Sequence, residues 1–149
     1  MEQPNLIELP NDNYIPGICN IGPLEIQRRK NWFFVAVFGS FMIASIFLVS
    51  EFNLFLTIFS YLVLLGTGFG LGLVFFEWYD KFCIAFGFFG YFNFQKLGNY
   101  SRVENKDYTN IDRRKVLNIL IKSLLVSVLY TLLVAGIALI FDFPKLIIL

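Results

Sequence analysis

Histidine is absent from this chain of 149 residues, and cysteine occurs only twice. Histidine and cysteine supply most zinc ligands in proteins, and structural zinc needs four ligands. Two cysteines without histidine cannot complete such a site in one chain, so a metal would need carboxylates, backbone oxygens or a second copy. The sequence therefore contains no strong catalytic or metal signature.

Charged residues are also scarce, at 15% of the chain, whereas 57% of it is hydrophobic. Soluble domains are nearer about 45–50% apolar and about a quarter charged. The net charge of +1 and the lack of a basic stripe with interleaved aromatic residues exclude nucleic acid as a partner. No charge lies at the centre of the long apolar stretches, so the sequence disfavours a pump or a coupled transporter.

Three long apolar stretches are present instead, at residues 31–50, 54–76 and 117–141. At about 1.5 Å per residue, each can cross a hydrocarbon core of about 30 Å. Eleven of the twelve Lys and Arg residues then fall on one side of the membrane, and only Lys145 falls on the other. Because basic residues mark the cytoplasmic side, we predict an all-α, multi-pass protein of the bacterial inner (cytoplasmic) membrane with three transmembrane helices. Its N-terminus is cytoplasmic and its C-terminus periplasmic.

A polar segment, residues 1–22, precedes a single membrane domain, residues 23–149. The many Pro, Asn and Gly residues of this segment argue against a regular element, and we place it in the cytoplasm. Pro23 suits the first helical position, and Glu25 places negative charge in the first turn, where it complements the helix dipole. The first helix is therefore predicted to begin at Pro23.

An aromatic segment at residues 82–95 is too short to cross the membrane, because a spanning helix needs about 20 residues. We interpret it as a short interfacial or re-entrant helix, since a spanning position would split the basic clusters between the two faces. Residues 96–110 are interpreted as a cytoplasmic loop. The capping-box pattern at residues 109–112 predicts that the last helix begins near Asn110.

Four glycines of the second stretch form two overlapping pairs with a spacing of four residues: Gly66, Gly68, Gly70 and Gly72. Glycines four residues apart lie on one helix face and let another backbone approach closely in a membrane. A nucleotide-binding loop is disfavoured, because no strand precedes this run. The pattern predicts helix packing, within the chain or between copies, with a local kink or the approach of a ligand as the alternative.

The candidate thiols, Cys19 and Cys83, lie on the cytoplasmic side, where reducing conditions disfavour a disulfide. We interpret them as small apolar side chains at a packed interface. Sulfur or redox chemistry is the alternative, because nearby basic residues can lower the pKa of a thiol, and metal binding stays open. Six basic residues are interpreted as topology determinants that contact anionic lipid: Arg28, Arg29, Lys30, Arg113, Arg114 and Lys115.

One sequence pattern resembles a known family. Asn20-Ile21-Gly22-x-x-Glu25-x-x-x-Arg29, two closely spaced spans and Cys83-x-x-x-Gly87-x-x-Gly90 resemble the YgaP-like transmembrane family over residues 20–90. The resemblance implies a small bacterial inner-membrane helical hairpin. Some members are fused to a rhodanese sulfurtransferase domain, which would imply a link to sulfur handling. Ile84 stands where the family usually has Pro. The fuller pattern, Cys19-Asn20-Ile21-Gly22-Pro23 with Phe82-Cys83 and Asn93-Phe94, is also similar to small uncharacterised bacterial membrane proteins.

Together these features predict a non-enzymatic structural or accessory subunit without a cofactor, embedded in the lipid bilayer as a homo-oligomer or within a larger membrane complex. The alternative is a thiol-dependent, sulfur-transfer or redox-linked membrane protein that uses Cys83 and Cys19. A third possibility, passive conduction of a solute through an oligomer, would need a polar stripe along a span, which we do not find.

Overall fold

Three long helices dominate the computed structural model, which describes residues 14–94 and 100–141 and the backbone of residues 147–148. Helix α1 is Pro23–Val49 and helix α2 is Leu54–Tyr79, and the last helix, α4, is Lys106–Ile140. By length and composition, each of the three is able to cross a membrane. The prediction of three long apolar helices is therefore confirmed, as is the start of α1 at Pro23.

The start of α4 differs from its prediction. The helix begins at Lys106 and not near Asn110, so that prediction is wrong. The reason is a cap four residues further back than the predicted one: the Asn105 side chain accepts a hydrogen bond from the backbone amide of Asp107, at 2.8 Å. Asp112, which the capping-box pattern assigned to the helix start, contacts the N-terminal segment instead.

Helix α2 is the middle helix and packs against both α1 and α4. Aromatic rings fill much of its contact with α1. Phe33 of α1 lies 5.5 Å from Phe75 and 5.4 Å from Trp78, measured between ring centroids, and Phe47 lies 5.3 Å from Tyr61. Only residues 50–53 join the two helices, so α1 and α2 form a tight hairpin.

The contact between α2 and α4 is a close approach of two backbones. A Cβ atom built on Gly68 would lie 2.8 Å from Cα of Ser127, and one on Gly72 would lie 2.9 Å from Cα of Ser123. Real Cβ atoms are almost never this close to another carbon, so only glycine permits the approach. The Ser127 hydroxyl also donates a hydrogen bond to the backbone carbonyl of Leu65, at 2.5 Å.

Short elements connect the long helices. Helix α3 (Ile84–Phe89) occupies part of the aromatic segment and ends at Gly90, whose φ of 73° is left-handed. Strand β2 (Tyr91–Phe92) then pairs antiparallel with β3 (Ser101–Arg102). Strand β1 (Ser50–Glu51) pairs parallel with β4 (Ile147–Ile148) at the opposite end of the helices. The predictions for residues 1–13, 95–99, 142–146 and 149, which include Lys145, lie outside the described residues.

Adding one methyl group to α2 tests the contact with α4. Gly68→Ala is expected to lower the free energy of unfolding by about 1–3 kcal/mol, because overpacking forces the two helices apart. Gly136→Ala is the matched control: its Cβ would have nothing within 4 Å, so stability should be unchanged or slightly raised by the better helix propensity of alanine. Thermal unfolding in detergent, followed by tryptophan fluorescence, measures both, and equal losses would contradict the packing.

Candidate functional site

The ion pairs among the described residues, and most of their long-range side-chain hydrogen bonds, lie at one end of the helix bundle. There α1 begins, α2 ends and α4 begins, and three stretches meet: the N-terminal residues 14–22, the largely aromatic residues 80–94 and the polar residues 100–115. We call this region the polar end. It contains both cysteines and all six of the basic residues that the sequence singles out, and is therefore the candidate site.

Two partly buried ion pairs tie the long helices together at the polar end. Arg29 Nη1 of α1 lies 2.6 Å from Glu77 Oε2 of α2, and Lys115 Nζ of α4 lies 2.7 Å from Asp80 Oδ2 just after α2. The second oxygen of Glu77 accepts a hydrogen bond from the Ile84 amide, at 2.9 Å. Arg29 and Lys115 are therefore structural cations with partners in this chain.

The other four basic residues of the prediction have no acidic partner among the described residues. Arg28, Lys30 and Arg114 make neither an ion pair nor a side-chain hydrogen bond within that part of the chain. Arg113 donates its Nε hydrogen to the Phe88 carbonyl at 3.3 Å, and its guanidinium lies 5.9 Å from the centroid of the Phe88 ring. These four cations remain available to anions outside the chain.

Asn20 clamps the connection between α2 and α3. Its side chain is fully buried and binds both backbone groups of Cys83: Oδ1 accepts from the amide at 2.7 Å, and Nδ2 donates to the carbonyl at 3.0 Å. The Asn20 carbonyl accepts a hydrogen bond from the Asn93 amide at 2.9 Å, and the Gly22 amide donates to the Asn93 carbonyl at 2.6 Å. The N-terminal segment is thus part of the packed polar end.

A second contact fixes the same segment to α4. Asp112 is fully buried and accepts two hydrogen bonds, from the Tyr14 hydroxyl at 2.7 Å and from the Gly17 amide at 2.7 Å. Burial, aided by the hydrogen bond to Asp112, raises the pKa of Tyr14, so the phenol stays neutral and can donate. The sequence prediction missed this contact, because a lone Asp at a helix start gives no sign of its distant partner.

The two cysteines are free thiols with different surroundings. Cys83 is only 4% exposed, and burial raises the pKa of its thiol; Arg29 opposes this rise and Glu77 adds to it. Cys19 is partly buried, and its thiol lies 3.4 Å from the Ile21 carbonyl. A raised pKa disfavours the thiolate, which is the reactive form, so Cys83 has the surroundings of a packing residue.

The residues of the family-like pattern meet at the polar end. Asn20 binds the Cys83 backbone, and a Cβ on Gly22 would lie 2.9 Å from Cα of Phe94. A Cβ on Gly87 would overlap the ring of Phe82. Packing alone explains these residue types. Within residues 14–94 and 100–141, no group of three or more His, Cys, Asp or Glu side chains is placed to hold a metal.

The four glycines of α2 form two pairs with different surroundings. Gly68 and Gly72 contact α4, whereas a Cβ on Gly66 or Gly70 would have no atom within 4 Å among the described residues. Gly70 also lines an open, mostly apolar groove of about 480 Å³ that continues along α2 to Glu77 and is bordered by α3. Half of the predicted packing surface is therefore used inside the chain, and the other half faces outward.

Comparisons with protein families, with curated proteins and with solved structures find no match to this chain. The class of the protein therefore rests on its own sequence and structure. Three apolar helices of spanning length, with ion pairs and basic residues gathered at one end, define a multi-pass membrane protein.

The reactivity of Cys83 tests both its burial and the Asn20 clamp. At about pH 8, an alkylating reagent should modify Cys83 much more slowly than Cys19, because the Cys83 thiol is buried and its pKa is raised. Asn20→Ala should accelerate labelling of Cys83, since it leaves two buried backbone groups unpaired, at a cost of about 1–3 kcal/mol each.

Peptide mapping by mass spectrometry gives the labelling rate of each cysteine in the folded protein. Asn118→Ala is the matched control, because Asn118 is exposed on α4, and it should change neither rate. Rapid labelling of Cys83 in the unaltered protein would contradict the description of Cys83 as a buried packing residue.

Proposed function

We propose that this protein is a non-enzymatic structural or accessory subunit of the bacterial inner membrane, acting as a homo-oligomer or within a larger membrane complex. The observation that carries the proposal is the outward-facing pair Gly66 and Gly70. Two glycines four residues apart support the close approach of another helix in a membrane, where small residues and not the hydrophobic effect govern association. Within the described residues, this pair has no helix against it.

The use of the charged residues at the polar end also supports a structural role. Arg29, Glu77, Lys115 and Asp80 neutralise one another between helices, and Asp112 holds the N-terminal segment. Catalytic groups need access to a substrate and a pKa suited to proton transfer or nucleophilic attack. These side chains instead hold elements of the chain together.

The proposed orientation places the polar end in the cytoplasm and the loop between α1 and α2 in the periplasm. Basic residues of the polar end without an acidic partner, such as Arg28 and Arg114, are suited to contact anionic headgroups there. Helix α3 would lie at the membrane interface: Phe88 and Phe89 are 53% and 66% exposed, and the Arg113 cation lies beside Phe88.

Reporter fusions test this orientation. A fusion after Phe52 should report a periplasmic site, and a fusion after Gly98 a cytoplasmic site, because the basic clusters hold the polar end inside. Alkaline phosphatase and a fluorescent protein at each position provide opposite signals. A cytoplasmic signal after Phe52 or a periplasmic signal after Gly98 would refute this topology.

Bulky substitutions on the outward face of α2 test the assembly. Gly66→Leu with Gly70→Leu should shift the detergent-solubilised protein to a smaller species in blue-native electrophoresis, because the larger side chains block the approach of a partner helix. Gly39→Leu with Gly136→Leu is the matched control. Those glycines are equally open, but they lie on α1 and α4 and do not form a pair on one helix.

The unaltered protein is expected to migrate as an oligomer or with a co-purifying subunit, and the control double variant should do the same. A monomer without any partner in the unaltered protein would refute the proposal. An oligomer that survives the Gly66→Leu and Gly70→Leu changes would exclude this face as the site of assembly.

A thiol-dependent role is the second candidate. One observation favours it: Cys83 lines a cavity of about 250 Å³ together with Arg28, Arg29 and Trp32. The proposed relation to the YgaP-like family over residues 20–90 would connect that cavity with sulfur handling. The labelling experiment on Cys83 distinguishes the candidates, because a sulfur-transfer thiol must be accessible and ionisable.

A further inference from the structure

A polar cavity of about 630 Å³ lies at the polar end between the C-terminus of α3, strand β3 and the first turns of α4. We call it the basic cavity. Six polar side chains line it: Arg102, Glu104, Lys106, Thr109, Asn110 and Arg113. Three of them are cations and one is a carboxylate, so the polar lining has a net positive charge at neutral pH.

Backbone elements hold the cations of the basic cavity in place. Arg102 lies on β3 opposite Tyr91 of β2, and the adjoining Val103 amide donates a hydrogen bond to the Gly90 carbonyl at 2.8 Å. Arg113 is fixed from the other side by its hydrogen bond to the Phe88 carbonyl and by the Phe88 ring. The Arg113 side chain and the backbone of Arg102 are therefore positioned without the help of an acidic side chain.

This arrangement contrasts with the rest of the polar end. Arg29 and Lys115 each have a carboxylate within 2.7 Å, whereas no ion pair involves Arg102, Lys106 or Arg113 in the described part of the chain. Cations that line one cavity repel one another, and an anion bound between them relieves that repulsion. Within the described residues, the cations of the cavity thus lack paired carboxylates, whereas Arg29 and Lys115 have them.

The donors match the chemistry of phosphate. Guanidinium groups bind phosphate oxygens through paired hydrogen bonds, and Lys106 adds a point charge at the first residue of α4, where the helix dipole also favours an anion. The side-chain amide of Asn110 makes no hydrogen bond within residues 14–94 and 100–141 and can donate as well. We infer that the basic cavity binds a phosphate-bearing anion through Arg102, Lys106 and Arg113.

The position of the basic cavity favours a lipid headgroup as the source of that phosphate. Phe89 lines the cavity and is 66% exposed, so an apolar surface borders the polar one. The apolar stretch of α4 begins at Leu117, four residues after Arg113, which corresponds to about 6 Å along the helix. Headgroup phosphates of a bilayer around α4 would lie at this level. A free phosphate shares the same chemistry and needs a separate test.

Two double variants with the same loss of charge test the inference in the full-length, detergent-solubilised protein. Arg102→Gln with Arg113→Gln removes cations of the cavity, and Lys81→Gln with Lys122→Gln removes two cations that neither line it nor belong to the six predicted lipid contacts. Native mass spectrometry measures binding of phosphatidylglycerol, with phosphatidylcholine as the neutral lipid, and calorimetry measures binding of inorganic phosphate. The single variant Lys106→Gln is included because Lys106 is exposed and makes no ion pair, so its loss should leave the fold intact.

The cavity variant should bind phosphatidylglycerol at least about tenfold more weakly, as expected for the loss of charge-assisted hydrogen bonds, and Lys106→Gln should also weaken binding. The control variant should change by less than about threefold, since neither of its lysines lines the cavity. Binding of inorganic phosphate with the same dependence on the cavity residues would support the phosphate site with a soluble source. Equal losses in the two double variants, or no binding of either anion, would overturn the inference.

Discussion

The close approach of α2 and α4 is the contact on which the rest of the structure depends. Gly68 and Gly72 present bare backbone to Ser123 and Ser127, and this brings the helices close enough for the Ser127 hydroxyl to reach a carbonyl of α2. Lipid tails are as apolar as leucine side chains, so the hydrophobic effect cannot drive such packing. Van der Waals contact and a few interhelical hydrogen bonds must hold the helices together instead, and both fail if the helices separate.

The polar end is a consequence of that contact. Once α2 and α4 are aligned, Lys115 reaches Asp80, and α1 closes the other side of α2 through Arg29 and Glu77. The N-terminal segment then occupies the remaining space, with Asn20 on the connection between α2 and α3. Partly buried ion pairs of this kind contribute little to stability unless their geometry is close. Their contribution to stability therefore depends on how the helices are aligned.

The sequence predicted the long helices because hydropathy over twenty residues is a local property, and it predicted Pro23 from local capping preferences. It identified the glycine pairs but could not tell which pair faces α4, because that depends on how the helices rotate. The partners of Asn20 and Asp112 lie 63 and up to 98 residues away, and no local pattern encodes them. The predicted start of α4 is wrong because Asn105 caps the helix ahead of the capping-box pattern at residues 109–112. Asp112 of that pattern instead accepts hydrogen bonds from Tyr14 and Gly17.

The most direct test of the account is a disulfide between α2 and α4. A Cβ on Gly72 would lie 3.1 Å from Cβ of Ser123, a few tenths of an ångström below the range of about 3.5–4.5 Å seen in disulfides. A cysteine at position 72 moves the two helices apart by a few tenths of an ångström, which brings the two Cβ atoms into that range. With Cys19 and Cys83 replaced by Ser and Ala, the pair Gly72→Cys and Ser123→Cys should therefore form an intramolecular disulfide on mild oxidation, and Gly70→Cys with Ser123→Cys should not. A disulfide in the second pair but not in the first would contradict the proposed packing of α2 on α4.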